Sequence, residues 1–274
     1  MMPAMTDHRP WFATYPAGVP HSLEPYPNLS VFGMLEASAR KHPEATALAW
    51  FGRKISYGAL LREVERCSAA LAGMGVGKGD RVALIMPNCP QYVIAFYATA
   101  RLGAIVVGNN PLYTTREMEH QLRDCSPSVV VVLDLLYSDF ADVFETVGQQ
   151  HVVVARLNDY MSFPKKQLAP ALKFKKVQRE QGKPWPPVAK GAPVTWWEGW
   201  LDAAGPAPVA PLIDPETDTA GFIYTGGTTG ISRARCSRTA TWWPTRCRPP
   251  RTSRCWRARR RSWVRSRTST RSGC

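Results

Sequence analysis

The sequence predicts an α/β fold, with parallel-rich sheets flanked by helices and a disordered basic tail. Three observations carry that expectation. Between residues 81 and 155, short apolar runs of strand length alternate with helix-length segments, as parallel β-α-β units require. The run Ser128–Leu133 contains four consecutive valines, the mark of a strand covered on both faces. From Arg233 to Cys274, by contrast, there is no Leu, Ile, Met or Phe and only one Val, too little to bury and offset the entropy of ordering.

The elements follow in order. Residues 1–27, rich in Pro and aromatics, read as an extended arm. Ser30 ahead of Val31–Lys41, with Pro43 just beyond, predicts a capped helix. Thr46–Phe51 and Lys54–Tyr57 around Gly52-Arg53 predict a β-hairpin. Leu60, Leu61, Val64, Cys67, Ala70 and Leu71 have helical spacing over 58–73, stopped by Gly73 and Gly75. Arg81–Met86 is a buried strand, Gln91–Leu102 a helix and Ala104–Gly108 a strand. Thr115 caps a helix through Asp124. After the valine run, Leu135–Val147 is a helix and His151–Ala155 a strand. Thr195–Ala204 reads as a Trp-rich helix, and Pro-rich 205–215 leads to a strand at Thr219–Tyr224.

Segment 163–190 stands apart, with eight Lys or Arg, one Glu and five Pro. Its centre, 168–183, reads as a basic amphipathic helix of the kind that lies on an anionic membrane, or as a solvated insertion loop. The loop is the favoured reading.

Charge divides the chain again. Fourteen of the thirty-five basic residues, all Arg, lie in 233–274, where there is no Asp or Glu; the first 232 residues balance twenty-one basic against twenty-one acidic groups. The net charge of +14 therefore belongs to the tail. No run of about 18 apolar residues exists to span a bilayer. The N-terminus lacks the basic-then-apolar layout of a secretion signal. Cys67, Cys89 and Cys125 have no metal-ligand spacing and read as buried thiols of a cytoplasmic protein. The tail cysteines also lack paired spacing, which argues against a zinc module.

The most informative motif is Tyr224-Thr-Gly-Gly-Thr-Thr-Gly230-Ile-Ser-Arg233. Gly226, Gly227 and Gly230 allow backbone angles and close approach that a Cβ would block. Successive N–H groups in such a loop form an anion nest, and Thr225, Thr228, Thr229 and Ser232 add hydroxyl donors. The pattern is neither a Walker A loop nor the dinucleotide Gly-x-Gly-x-x-Gly. A glycine-rich hairpin or linker is the plainer alternative.

With this motif, and with Met86-Pro-Asn-Cys-Pro-Gln-Tyr-Val93, Arg101-Leu-Gly-Ala104 and Asn110-Pro-Leu-Tyr-Thr-Thr-Arg-Glu-Met-Glu-His-Gln-Leu122, the chain resembles the AMP-forming adenylating enzymes. Within them it is similar to the long-chain fatty-acid–CoA ligases. The resemblance covers about 28–232 and implies the N-terminal portion of the adenylate-forming fold. It implies fatty acid, ATP and coenzyme A as the parent's substrates, with Mg2+. A carboxylate would attack the α-phosphorus of ATP to give acyl-AMP and pyrophosphate, and the coenzyme A thiol would displace AMP. It places nucleotide binding on Thr225, Gly226, Gly227, Thr228, Thr229, Gly230 and Ser232, with Thr225 sharing Mg2+. Apart from the resemblance, two further partners are considered: a membrane surface met through the basic segment 163–190, and a second copy of the chain in a homodimer.

The resemblance stops at Ser232. Family members continue with Lys-Gly, a hydrophobic pair, a hydroxyl residue, His, a variable residue and Asn-Leu. Loss of one base from a Lys codon AAG before a G yields AGG, Arg, and displaces every later codon. The only Trp codon is TGG, so the Trp242–Trp243 junction must read GTG, Val, in the other frame; the Trp243–Pro244 junction must read GCC, Ala. With permitted codons, the junctions from Arg233 onward read Gly-Ala-Met-Leu-Ser-His-Arg-Asn-Leu-Val-Ala-Asn, the family continuation in register. The tail is therefore expected to be out of frame and the chain catalytically incompetent. No residue of it is assigned as catalytic, because the family's acidic Mg2+ ligand, ribose-binding Asp and C-terminal Lys come later. The alternative is an Arg- and Trp-rich nucleic-acid-binding protein on an inert α/β scaffold. On the out-of-frame reading, polyanion binding by the tail is incidental.

Overall fold

A computed structural model describes residues 13–19, 28–169, 174–227 and 230–238, and among these the side chains of all but 225–236 and 238. Of the expected N-terminal arm, only 13–19 is described. It turns rather than extends: Val19 N–H donates to Pro16 O at 3.1 Å, with Gly18 at φ 89°.

The first helix, α1 (Val31–Lys41), begins where Ser30 Oγ accepts from Gly33 N–H at 3.0 Å. Strands β1 (Thr46–Trp50) and β2 (Arg53–Ser56) form the expected antiparallel hairpin. Phe51 and Gly52 turn it with positive φ, the twist that matches a two-residue connection. Ser56 then caps α2 (Tyr57–Gly73), which buries Leu60, Val64, Cys67, Ala70 and Leu71.

A seven-stranded sheet follows. Its strands are β3 (Arg81–Ile85), β4 (Ile105–Asn109), β5 (Val129–Leu133), β6 (Val152–Ala155), β7 (Thr195–Trp196), β8 (Thr219–Gly227) and β9 (Gly230–Arg238). Their order is β7-β6-β5-β3-β4-β8-β9, and every neighbouring pair is parallel except β8–β9. The connecting helices are α3 (Pro90–Arg101), α4 (Thr115–Cys125), α5 (Asp134–Thr146), α6 (Lys165–Ala169), α7 (Lys175–Glu180) and α8 (Trp197–Asp202).

Two apolar cores sandwich the sheet because alternate strand residues point to opposite faces. Val82 and Leu84 of β3 pack with α1, α2, α3 and α8; Ala83 and Ile85 pack with α4 and α5. Each residue of β5 is buried, which explains the unbroken valine run. Among the described residues no helix is long and apolar enough to cross a membrane.

Several expectations need correction. The cap of α4 is Thr114, one residue earlier than expected: its Oγ1 accepts from Glu117 N–H while Glu117 Oε2 accepts from Thr114 N–H. That reciprocal box satisfies two end donors, which Thr115 inside the helix does not do. The Trp-rich segment opens with the edge strand β7 before α8. Segment 163–190 is not simply solvated. Phe174, Gln178 and Val188 are buried, Gln178 Nε2 donates to Leu135 O at 3.0 Å, and Lys183 pairs with Asp139 at 2.6 Å. These contacts fold the segment back onto α5. Residues 170–173, inside the expected 168–183 helix, lie outside the described residues.

The order expected to stop at 232 also runs on to 238. Arg233–Arg238 pairs with β8 as part of β9. Backbone donors and acceptors of an edge strand suffice for such pairing, whatever the side chains. Residues 239–274 lie outside the described residues.

Candidate nucleotide-binding site

The sheet positions the site through its topology. From β3 the chain passes through α3 to β4 on one side; from β4 it passes through α4 and back across β3 to β5 on the other. Helices α3 and α4 therefore lie on opposite faces, and the loops leaving β3 and β4 diverge. Open parallel sheets bind ligands in such a crevice, beyond the carboxyl ends of the strands. Ile85 is level with Asn109, so the crevice is flanked by Met86-Pro-Asn-Cys89 and Asn110-Pro-Leu-Tyr-Thr114. Both belong to the segments that carry the family resemblance.

The glycine loop reaches the same end of the sheet. Ile223 pairs with Gly108, so Tyr224 and Thr225 run on level with Asn109 and Asn110. The loop is the tip of the β8–β9 hairpin, the geometry of the plainer sequence reading. Thr225 is the register partner of Arg233, and Gly227 of Gly230. Thus the backbone brings Thr225, Gly226, Gly227, Gly230 and Ser232 together, while Thr228 and Thr229 lie outside the described residues.

What anchors the loop is a buried polar cluster that residue patterns did not reveal. Tyr224 Oη donates to Asp124 Oδ2 at 2.8 Å and approaches Gln121 O at 3.5 Å. Asn109 Nδ2 donates to Gln121 Oε1 at 2.7 Å. Asn109 Oδ1 and Gln121 Nε2 have no partner among the described residues. Burial, then the neighbouring Cys125 and Asp124, push the Tyr224 phenol well above its ordinary range. Burial likewise pushes the Cys125 thiol up to about 12, so both stay protonated at neutral pH. Tyr224 and Gln121 stood inside the two motifs, but their pairing across a hundred residues has no local signature. The three cysteines Cys67, Cys89 and Cys125 are buried free thiols, as their spacing led us to expect.

At the adjoining strand ends, Asp134 Oδ1 accepts from Leu135 N–H at 2.9 Å and Leu157 N–H at 3.3 Å. Asp159 Oδ2 accepts from Arg156 N–H at 3.0 Å. Burial outweighs these bonds and raises both carboxyls to about 6. Each is tied to backbone, and no group of three or more His, Cys, Asp or Glu able to hold a metal occurs among the described residues.

Known proteins match both the sequence and the architecture. The sequence profile of the AMP-binding enzymes matches residues 35–232. A long-chain-fatty-acid–CoA ligase of Bacillus subtilis is 37% identical over 230 residues, covering 84% of this chain and 40% of the relative. Its counterpart in Escherichia coli O157:H7 is 35% identical over 228 residues, covering 81% and 39%. The chain thus spans about two fifths of the length of the curated relatives it matches. The crystal structure of a long-chain-fatty-acid–CoA ligase from Archaeoglobus fulgidus superposes with a TM-score of 0.58 at 25% identity, over 78% of this chain and 37% of that one. A luciferase-like enzyme of the mealworm Zophobas morio shares the fold at a TM-score of 0.61 and 17% identity, over 79% and 45%. With a parallel sheet, a glycine loop at its carboxyl end and a profile match across most of its length, this chain belongs to the family of AMP-binding enzymes.

Proposed function

We propose that residues 28–232 are the N-terminal part of an AMP-forming long-chain fatty-acid–CoA ligase whose reading frame shifts at Arg233. The parent enzyme would join a fatty acid to ATP, releasing pyrophosphate, and then transfer the acyl group from AMP to coenzyme A. In this reading the N–H groups of 225–230 and the hydroxyls of Thr225, Thr228, Thr229 and Ser232 bind the polyphosphate. Preorganised donors of this kind stabilise charge that develops in phosphoryl chemistry. Mg2+ takes oxygen ligands, so the alcohol of Thr225 suits it as one donor; bound Mg2+ would neutralise phosphate charge.

The observation that carries the reading is a coincidence of position. The family match ends at residue 232, and the shifted reading that restores the family sequence begins at Arg233. The 274-residue chain itself is then incompetent for acyl-AMP formation, since 233–274 supplies no carboxylate. Arg233 keeps a cation where the family has Lys, but its planar fork is not equivalent at close quarters.

The test is fatty-acid-dependent exchange of pyrophosphate into ATP, run on the 274-residue chain and on the product of a gene with one base restored at the Arg233 codon. The first should be inactive and the second active. Activity in the first overturns the incompetence. Inactivity in a soluble, folded product of the second overturns the ligase reading.

A further inference from the structure

The connection from α8 to β8 has a regular shape that the ligase reading leaves without a role. Pro206, Pro208 and Pro211 fix their own φ at about −65°, and the residue before each is kept out of the α region. Of residues 205–211, only Val209 escapes both restraints. Residues 204–214 form neither helix nor strand. Among the described residues, no backbone group of 205–211 bonds to another backbone group. These are the properties of polyproline II, an extended helix with about three residues per turn.

Burial follows the same period. Pro208 and Pro211, three residues apart, are half-buried, while Pro206, Ala207, Val209, Ala210 and Leu212 are exposed. Pro206, Val209 and Leu212 therefore share one outward edge. Val209 is 95% exposed and Leu212 92%. Both ends of the ridge are fastened. Ala204 N–H donates to Leu201 O at 3.2 Å, and Lys78 Nζ donates to Leu212 O at 2.9 Å while pairing with Asp218 at 2.6 Å. A semi-rigid spacer needs the prolines, but not two large aliphatic side chains in register on its outer edge.

We propose that residues 205–212 are a docking ridge for a protein partner whose aromatic-lined groove takes a polyproline II segment. Such grooves favour a ligand that is already extended, because little conformational entropy is then lost on binding. Here Pro208 and Pro211 hold the shape, and Pro206-x-x-Val209-x-x-Leu212 offers apolar side chains at the three-residue spacing that such grooves read. Ala203–Ile213 carries no charge and is bounded by Asp202 and Asp214, so the matching groove has a neutral or basic rim. The ridge is independent of the glycine loop and of the frame of the tail.

The arginine-rich tail attracts acidic surfaces, so the readout must be local. The methyl-labelled 274-residue chain is titrated with a panel of SH3, WW and EVH1 domains, with location read by NMR and affinity by calorimetry. At least one domain should shift the Val209 and Leu212 methyl signals, with a Kd below about 1 mM. Val209→Ser with Leu212→Ser should weaken that binding about tenfold, given the apolar surface removed. Pro208→Ala with Pro211→Ala leaves the outward edge in place and frees the backbone, and should also weaken it about tenfold. Four results would each overturn the proposal: no domain binding below about 1 mM, shifts confined to 233–274, wild-type affinity in either folded pair, or shielding of both methyl groups from a soluble paramagnetic probe in the product with one base restored at Arg233. The last would put the parent's own chain on this edge.

Discussion

Tyr224 on the sheet and Asp124 on α4 are joined by a 2.8 Å hydrogen bond, and Tyr224 is the residue that precedes the glycine loop. The bond ties the outgoing end of β8 to the helix that follows the β4 crevice. Tyr224→Phe keeps the buried ring and deletes the donor. It should lower stability by about 1.5–3 kcal/mol, the usual effect of losing a hydrogen bond to a charged group, in equilibrium urea unfolding. An unchanged midpoint would show that Asp124 is equally well satisfied by water.

Gly221 tests the attachment of the same strand. A Cβ built there lies 3.1 Å from Val106 O, a backbone atom of the paired strand β4. Gly221→Ala should force β8 away from β4 and destabilise the chain by about 1–3 kcal/mol. Hydrogen exchange should rise first across Val106–Gly108 and Gly221–Ile223, the registered segment. Wild-type stability would mean that the sheet absorbs the displacement.

Leu84 lies at the middle of the central strand with no exposed surface. Leu84→Ala should cost about 2–5 kcal/mol, the loss of transfer energy plus the residual cavity. Leu112, in the loop after β4, is 87% exposed, and Leu112→Ala should change stability by less than about 0.5 kcal/mol. Thermal unfolding of the two variants side by side checks the contrast.

Asp134 and Asp159 predict an unusual pH dependence. Folding raises both carboxyls from near 4 to about 6, chiefly through burial. A raised carboxyl favours the protonated form in the folded state. Its penalty is therefore absent below about 4, grows between about 4 and 6, and is complete above. These two groups should make the chain lose stability as pH rises through that window, by about 2 kcal/mol each after allowance for solvent relaxation. Asp134→Asn and Asp159→Asn keep an acceptor oxygen for the backbone N–H groups and should flatten the slope. Chemical denaturation at pH 4.5 and 7.5 measures it; a slope unchanged in the double variant would refute the assignment.

Sequence by itself determined the elements from α1 to β6 and their succession. Apolar residues at period 3.6 or in valine runs report which faces must leave water, and local hydrogen bonds such as the Ser30 cap act within three residues. Family membership was equally legible, because the glycine loop and the two segments after β3 and β4 are contiguous strings. Tertiary structure decided what depends on meetings between distant residues. Only the strand order shows that those two segments flank one crevice. Only packing shows Tyr224 on Asp124, or Gln178 and Lys183 binding the basic segment to α5. The same holds at Arg233–Arg238. Side-chain composition marks the residues as foreign to a core, yet backbone groups pair by position along β8, and the sheet continues six residues into a segment whose composition argued against order.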